Sequence, residues 1–504
     1  MGEPIVDIQG LYVAFSGKEV VKDFNLTIHP GEIVSVVGES GSGKSVSALL
    51  SMGLLSPKAE IRATKALFQG RELLHFSSKD WAQLRSTSVA MIFQDPMTAL
   101  HPTKRIGVQL SEVLQEHTAL SKTEIRARLI KALDEVEVPE PEQSLEKYPF
   151  QMSGGQRQRV VIAMAMLLEP ALIIADEPTT ALDKEVEGKV LELLARLVSK
   201  RGTALWLISH DLKLVADFSD RVLVLFRGNT VEQGSAEELF TAPKHPYTQG
   251  LLGCRPPDQG RPYPLPVLDD FLEERPLKQI ELAAPAQYSP VLEIKDLKIA
   301  FTQGKGWSKR NKTIVEGFNL TLYKGETLGL IGPSGSGKST IGRAIVDLVE
   351  TRDGTIEYTC DKHKVSFVFQ DPFSALNSAK TIGSTLDAVM KKHHGSLSRE
   401  QRLQKATALL EEVGLSKADL KKKPAEFSGG QRQRIGIARA LAVAPEILIC
   451  DESVSALDVS VQSQVLNLLN EIKLRRGLSM IFISHDPDVV NYMCDRIIEL
   501  IPVA

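Results

Sequence analysis

The chain has 504 residues, 43% hydrophobic and 24% charged, with a formal net charge of -3; that length exceeds a single hydrophobic core, and the near-balanced charge excludes bulk affinity for nucleic acid or anionic lipid. The four cysteines, Cys254, Cys360, Cys450 and Cys494, include no CxxC pair, which excludes a zinc knuckle and a disulfide framework. No stretch approaches the roughly 18 apolar residues of a membrane span, and the opening MGEPIVDIQG lacks the basic lead and apolar core of a signal peptide.

In chain order, the first strong element is IVSVV, 33–37, which reads as a buried parallel strand. GESGSGKS, 38–45, follows it, and VSALLSMGLL, 46–55, reads as a helix. Strand, Gly-x-x-x-x-Gly-Lys-Ser and helix in that order make a phosphate loop. Backbone N–H groups around Gly38, Ser40, Gly41 and Gly43 turn inward to phosphate oxygens, and the helix that begins at the end of the loop, where Lys44 and Ser45 lead into Val46, adds its positive end. Lys44 supplies charge to the outer phosphates and Ser45 a hydroxyl to Mg²⁺. The bland alternative for one such loop is a flexible glycine turn.

The short strand SVAMIF then delivers Gln94, whose amide can ligate a metal through oxygen or orient a water. Polar–apolar helices such as TEIRARLIKALDEVEV, within about 100–150, read as an inserted helical subdomain. SGGQRQR, 153–159, opens an amphipathic helix, so Ser153, Gly154, Gly155 and Gln156 form either an anion site or a plain helix cap. ALIIADE, 171–177, is an apolar strand ending in two carboxylates at the sheet edge where the phosphate loop sits. Asp176 suits the Mg²⁺ shell and Glu177 the polarising of an attacking water; a salt bridge or helix cap is the alternative for the pair. TALWLIS brings His210 to the same edge, for a terminal phosphate or the water, or else to cap the next helix with Asp211.

Everything then recurs. GPSGSGKS, 332–339, follows strand TLGLI and repeats the loop with Gly332, Ser334, Gly335, Gly337, Lys338, Ser339 and Thr340. KVSFVF delivers Gln370; SGGQRQR returns at 428–434 with Ser428, Gly429, Gly430 and Gln431. EILICDE ends in Asp451 and Glu452, and SMIFIS leads to His485. A glycine turn or capping histidine has little claim when the whole constellation is duplicated. Domains are therefore expected over 1–253 and 291–504, joined by a proline-rich linker, 254–290, read as a tether with little core. The second copy is shorter between its first two motifs, and it lacks the hairpin and helix that follow DRVLVLF in the first.

Each lobe already owns a phosphate loop, so a second anion site in the same lobe is redundant unless it serves a nucleotide held by the other. The expectation is a head-to-tail pair: the Lys44 loop facing Ser428, Gly429 and Gly430, the Lys338 loop facing Ser153, Gly154 and Gly155, with Asp183 and Asp458 coupling the two seams.

With these motifs in place, the chain resembles the ATP-binding subunits of ABC transporters over nearly everything except the linker. The matching parts are Walker A loops 38–45 and 332–339, Gln94 and Gln370, signatures 153–157 and 428–432, acidic pairs 176–177 and 451–452, D-loops 180–183 and 455–458, and switch residues His210 and His485. The resemblance implies an α/β fold of two P-loop domains, each with a mostly parallel sheet core, an antiparallel β part and a helical subdomain. It implies ATP and Mg²⁺ as cofactors, with Phe15 and Phe301 stacking on adenine. FQDPMTALHP and HPYTQGLL are closest to the dipeptide and oligopeptide importers. Import of peptides or peptide-like solutes is thereby implied, with nickel or glutathione import as alternatives. The implied partners are two permease subunits and a substrate-binding protein, and the implied place is the cytoplasmic face of the membrane. Ser453 stands where the family pattern has proline. Some relatives hold an iron–sulfur cluster in the tail after HPYT; Cys254 alone lies there, so none is expected. A twin ATPase acting on ribosomes or other RNA is one rival, disfavoured by the linker's lack of a sustained basic run; a DNA-repair ATPase is disfavoured by cysteines that cannot build zinc modules, and an export ATPase by the HPYT and FQDP segments.

Overall fold

The computed structural model describes residues 2–502 except 180–181, 183, 258, 285–288, 304–309, 334, 372–374 and 456. It divides into two units: Met1–Gly253 with Leu268–Glu274, and Cys254–Val267 with Arg275–Ala504.

In the first unit, five parallel strands run in the order Val89–Ile92, Leu172–Asp176, Ala204–Ser209, Ile33–Val37, Arg221–Phe226. Ile33–Val37 and Ala204–Ser209 are buried along their whole length. That is why they read as unbroken apolar runs rather than as alternating ones. Asn229–Ser235 continues from Arg221–Phe226 as an antiparallel hairpin and meets Lys18–Ile28 at the parallel pair Asn229–Lys22. This strand joins the parallel core to the antiparallel strands Val6–Phe15, Lys18–Ile28, Ala59–Arg62, Lys65–Phe68 and Arg71–Glu72, giving one 11-stranded sheet. One apolar core runs through both parts, with Phe24 stacked on Trp206 at 6.2 Å between ring centroids.

The inserted helical part contains Ile106–His117, Lys122–Glu135 and Gly154–Met166. Ser121 and Glu124 form a capping box that starts the second of these, and its Ile125, Leu129 and Leu133, one turn apart, are buried.

The second unit repeats the parallel order as Val365–Val368, Ile447–Asp451, Ser479–Ile483, Thr327–Ile331, Arg496–Glu499. Its antiparallel part, Arg310–Tyr323, Pro290–Gln303 and Asp353–Tyr358, is a separate sheet. Among the described residues, no strand after Glu499 bridges the two sheets as Asn229–Ser235 does in the first unit. The shorter stretch after the second phosphate loop likewise has one strand, Asp353–Tyr358, where the first unit has three short strands and the helix Ser78–Thr87.

The linker does more than the proline content suggests. Leu265 is buried in the second unit's core. Its backbone exchanges two hydrogen bonds with the Asn467 amide, Leu265 N–H to Oδ1 at 2.7 Å and Nδ2–H to Leu265 O at 2.8 Å. Arg261 ion-pairs with buried Asp495 and donates to the carbonyls of Tyr492 (2.7 Å) and Met493 (2.9 Å), closing the end of helix Pro487–Met493. Leu268–Leu272, by contrast, packs on helix Pro246–Gly253 of the first unit; a Cβ on Gly253 would lie 2.4 Å from Phe271 Cζ. Burial alone would raise the Asp495 carboxyl; Lys473, the Thr327 amide and Arg261 outweigh it and hold it below the usual range. Arg261→Ala leaves that carboxylate with one fewer partner. It should lower the second unit's stability by about 3 kcal/mol, read as an earlier denaturant transition of that unit.

Among the described residues no helix is long and apolar enough to cross a membrane.

Candidate nucleotide-phosphate sites

Each phosphate loop joins a central parallel strand to a helix, Ile33–Val37 to Lys44–Ser51 and Thr327–Ile331 to Lys338–Ile345. Gly38 and Gly332 adopt φ of 151° and 145°, and Gly43 and Gly337 103° and 100°. A Cβ on Gly38 would stand 2.2 Å from Leu225 O, and one on Gly332 2.6 Å from Leu500 O. Only glycine fits these positions. No side chain caps either helix, and the positive end of each points to the loop, where an anion is favoured.

Lys44 is buried, and its Nζ donates to Gly38 O at 2.7 Å and Glu39 O at 3.0 Å. Lys338 does the same to Gly332 O and Pro333 O, at 2.7 and 3.0 Å. Ser45 Oγ donates to Asp176 Oδ1 at 2.9 Å, and Ser339 Oγ to Asp451 Oδ1 at 2.6 Å. Burial pushes both aspartates above the usual carboxyl range. Asp451 Oδ2 is buried and has no hydrogen-bond partner among the described residues. A hydroxyl, a carboxylate hard to ionise and a spare buried oxygen are a donor set that a divalent cation satisfies. Mg²⁺ fits here, with Ser45 and Asp176, or Ser339 and Asp451, as its protein side.

Glu177 and Glu452, one residue beyond each strand, have left-handed backbones with φ of 46° and 45°. Their N–H groups still donate to the neighbouring strand, to Ile208 O at 3.0 Å and Ile483 O at 2.9 Å. That conformation costs a non-glycine residue roughly 1–2 kcal/mol. The turn places each carboxylate among the other edge residues. Glu177 Oε2 accepts from Gln94 Nε2 at 3.0 Å and lies 3.3 Å from His210 Nδ1, with Lys44 Nζ 3.9 Å from Oε1. Glu452 accepts from Gln370 Nε2, and its Oε1 lies 3.6 Å from His485 Nδ1. The neighbouring imidazole holds Glu452 below its usual range against the pull of burial. The left-handed turn had no sequence signal, because no glycine or asparagine marks it.

The structure thus brings together, separately in each unit, the loop lysine, the loop serine, the acidic pair, the glutamine and the histidine. The SGGQ segments have another local duty. Ser153 Oγ accepts from Gln156 N at 3.3 Å, while Gln156 Oε1 accepts from Ser153 N at 3.1 Å. Ser428 and Gln431 repeat this at 3.4 and 3.1 Å. The second glycine of each is set by packing: a Cβ would be 2.7 Å from Val186 Cγ1 at Gly155 and 2.2 Å from Val461 Cγ1 at Gly430. Gly154 and Gly429 open the two helices, Gly154–Met166 and Gly429–Leu441. Phe15 is half-buried against the first unit's core, whereas Phe301 is exposed. Val46 and Thr340 lie in the first turn of the loop helices. Ser334 and Asp183 lie outside the described residues.

Comparison with known proteins agrees with this duplicated architecture. The family model described as ABC transporter matches residues 21–180 and again 315–455. The chain is 40% identical to the uncharacterized ABC transporter ATP-binding protein YejF of Escherichia coli strain K12, over 99% of this chain and 94% of that one. It is 39% identical to the glutathione import ATP-binding protein GsiA of Escherichia coli, over 98% of this chain and 84% of that one. Among solved structures, cbiO1 of Clostridium perfringens is 28% identical with a TM-score of 0.43, covering 48% of this chain and 92% of that one. The chain therefore belongs to the ATP-binding proteins of ABC transporters, and is an ATPase with two ABC domains in one polypeptide.

Proposed function

We propose that each phosphate loop binds one MgATP and that the paired sites drive the import of peptides or peptide-like solutes. The observation that carries the first half is the repeated cluster in which Ser45 meets Asp176 and Glu177 meets Gln94 and His210. Lys44 and Lys338 neutralise the outer phosphates, and the uncapped helix starts receive the remaining oxygens. Mg²⁺ held by Ser45 and Asp176, or by Ser339 and Asp451, would supply charge neutralisation to the phosphates. Glu177 and Glu452 accept a proton from the water that attacks the γ-phosphorus, with ADP leaving in line. Gln94 and Gln370 serve the metal through their amide oxygens or orient that water, and His210 and His485 contact the terminal phosphate or the water. Phe15 and Phe301 stack on the adenine.

In this reading the sites are composite. Ser428, Gly429, Gly430 and Gln431 close over the nucleotide at Lys44, and Ser153, Gly154, Gly155 and Gln156 over that at Lys338. ATP then bridges the units, and hydrolysis loosens them. Two permease subunits and a substrate-binding protein complete the importer, with this chain peripheral on the cytoplasmic face. No iron–sulfur cluster is involved. Support for import comes from similarity to GsiA, a glutathione import ATP-binding protein, and from the HPYT and FQDP segments.

The test is uptake of labelled dipeptides, oligopeptides and glutathione in cells carrying the chain as their sole copy, or its Lys44→Ala/Lys338→Ala form. At least one solute should enter only with the unaltered chain. Normal uptake of all three with the altered chain, or its recovery on ribosomes rather than with a permease, overturns the import reading.

A further inference from the structure

The peptide unit between Gly38 and Glu39 is held at both ends. Its carbonyl accepts from Lys44 Nζ at 2.7 Å, and its N–H donates to Tyr247 Oη at 2.9 Å. Tyr247 stands in helix Pro246–Gly253, far along the chain, and is fully buried. Its ring stacks on Phe226 with 4.2 Å between centroids. Its own N–H donates to His245 Nδ1 at 3.1 Å, and the Glu232 carboxylate accepts the Lys244 and His245 amides at 2.8 and 3.0 Å. Packing therefore sets the position of the hydroxyl.

The described residues of the second loop follow the same backbone path without this contact. Its φ angles at the glycines, 145°, 81° and 100°, match 151°, 82° and 103° in the first. The internal turn bond is also shared, Ser42 N to Glu39 O at 3.1 Å and Ser336 N to Pro333 O at 3.2 Å. The equivalent carbonyl, Gly332 O, accepts from Lys338 at 2.7 Å. Position 333, however, is proline, whose nitrogen has no hydrogen to satisfy and whose ring fixes φ. The second unit also has no described helix equivalent to Pro246–Gly253. One loop is stiffened by a covalent ring, the other by a remote hydroxyl.

We propose that Tyr247 is a positioning residue for the first phosphate loop, tying nucleotide binding at that site alone to the helix Pro246–Gly253. The proposal rests on the reading of the loop as a nucleotide site. Without the hydroxyl, the half-buried Glu39 loses the hydrogen bond from its N–H to Tyr247, and the peptide is free to rotate. Rotation carries Gly38 O away from Lys44 and shifts the ammonium from the phosphates. At the second site the same loss cannot occur.

The experiment is titration of the full-length protein with fluorescent mant-ATP and Mg²⁺. First-site binding is read in a Lys338→Ala background and second-site binding in a Lys44→Ala background. Tyr247→Phe keeps the stacking ring and removes only the hydroxyl. It should raise the first-site Kd roughly three- to tenfold and leave the second-site Kd unchanged. Adding Glu39→Pro, which copies the second loop, should restore most of the lost affinity, because the donor is then gone as well. A general structural role would instead weaken both sites or lower the melting temperature, with no rescue by proline. An unchanged first-site Kd in Tyr247→Phe, or a loss that Glu39→Pro leaves in place, overturns the assignment of Tyr247. Persistent first-site binding in Lys44→Ala/Lys338→Ala overturns the nucleotide reading itself, and this inference with it.

Discussion

Exchange of Glu177 and Glu452 together for glutamine is expected to lower ATP turnover by roughly 10²- to 10⁴-fold while MgATP still binds. Glutamine keeps the size of the side chain and can still bond Gln94 or Gln370, but it cannot take a proton from water. Lys44, Lys338, the loop amides and the Ser45–Asp176 and Ser339–Asp451 pairs are untouched, so binding persists. The bound nucleotides then have no exit through hydrolysis, and the protein should accumulate in a nucleotide-filled, closed form. Labelled ATP retained on the protein after rapid desalting reads this occlusion, and phosphate release reads turnover. Either single variant should leave one hydrolysing site. Rapid turnover in the double variant overturns the assignment of both glutamates as bases.

The second large effect concerns which signature serves which loop. Ser153→Asp and Ser428→Asp are suited to the question, because aspartate caps a helix about as well as serine and its charge favours a helix start. The helices Gly154–Met166 and Gly429–Leu441 should therefore stay folded, while a carboxylate meets any phosphate placed there. Repulsion of that kind should weaken nucleotide binding by roughly a hundredfold. If the sites are composite, Lys44→Ala and Ser428→Asp damage the same site, and the doubly altered protein still binds one nucleotide. Lys44→Ala with Ser153→Asp damages both sites, and binding falls away altogether. Stoichiometry by equilibrium dialysis separates the two pairs. The opposite pattern, with one nucleotide kept in Lys44→Ala/Ser153→Asp, would mean that each unit closes its own site.

Much of the site was legible because its chemistry needs short-range patterns. A backbone cradle for phosphate requires glycines where a Cβ would strike a neighbouring carbonyl, as at Gly38 and Gly332, and a lysine at fixed spacing behind them. Strands buried on both faces must be apolar throughout, so their ends, and the acidic pairs and histidines placed there, could be found from the run of residues alone. The repeat of every motif identified the chain as two copies of one domain.

Other features depend on residues far apart in the chain and have no local mark. The left-handed turn at Glu177 and Glu452 is imposed by the hydrogen bond to the adjacent strand, not by residue type. The linker reads as a loose proline-rich tether, yet Arg261 and Leu265 find Asp495 and Asn467 only once the second unit has folded. The strand that bridges the two parts of the first unit's sheet has no counterpart among the described residues of the second. The contact from Tyr247 to the first phosphate loop joins positions 208 residues apart. The sequence alone determined the duplicated phosphate chemistry, because loop geometry and strand burial constrain neighbouring residues. Tertiary structure alone decided the backbone strain beside the acidic pair, the anchoring of the linker and the different support of the two loops, because each depends on which distant group meets a buried polar atom.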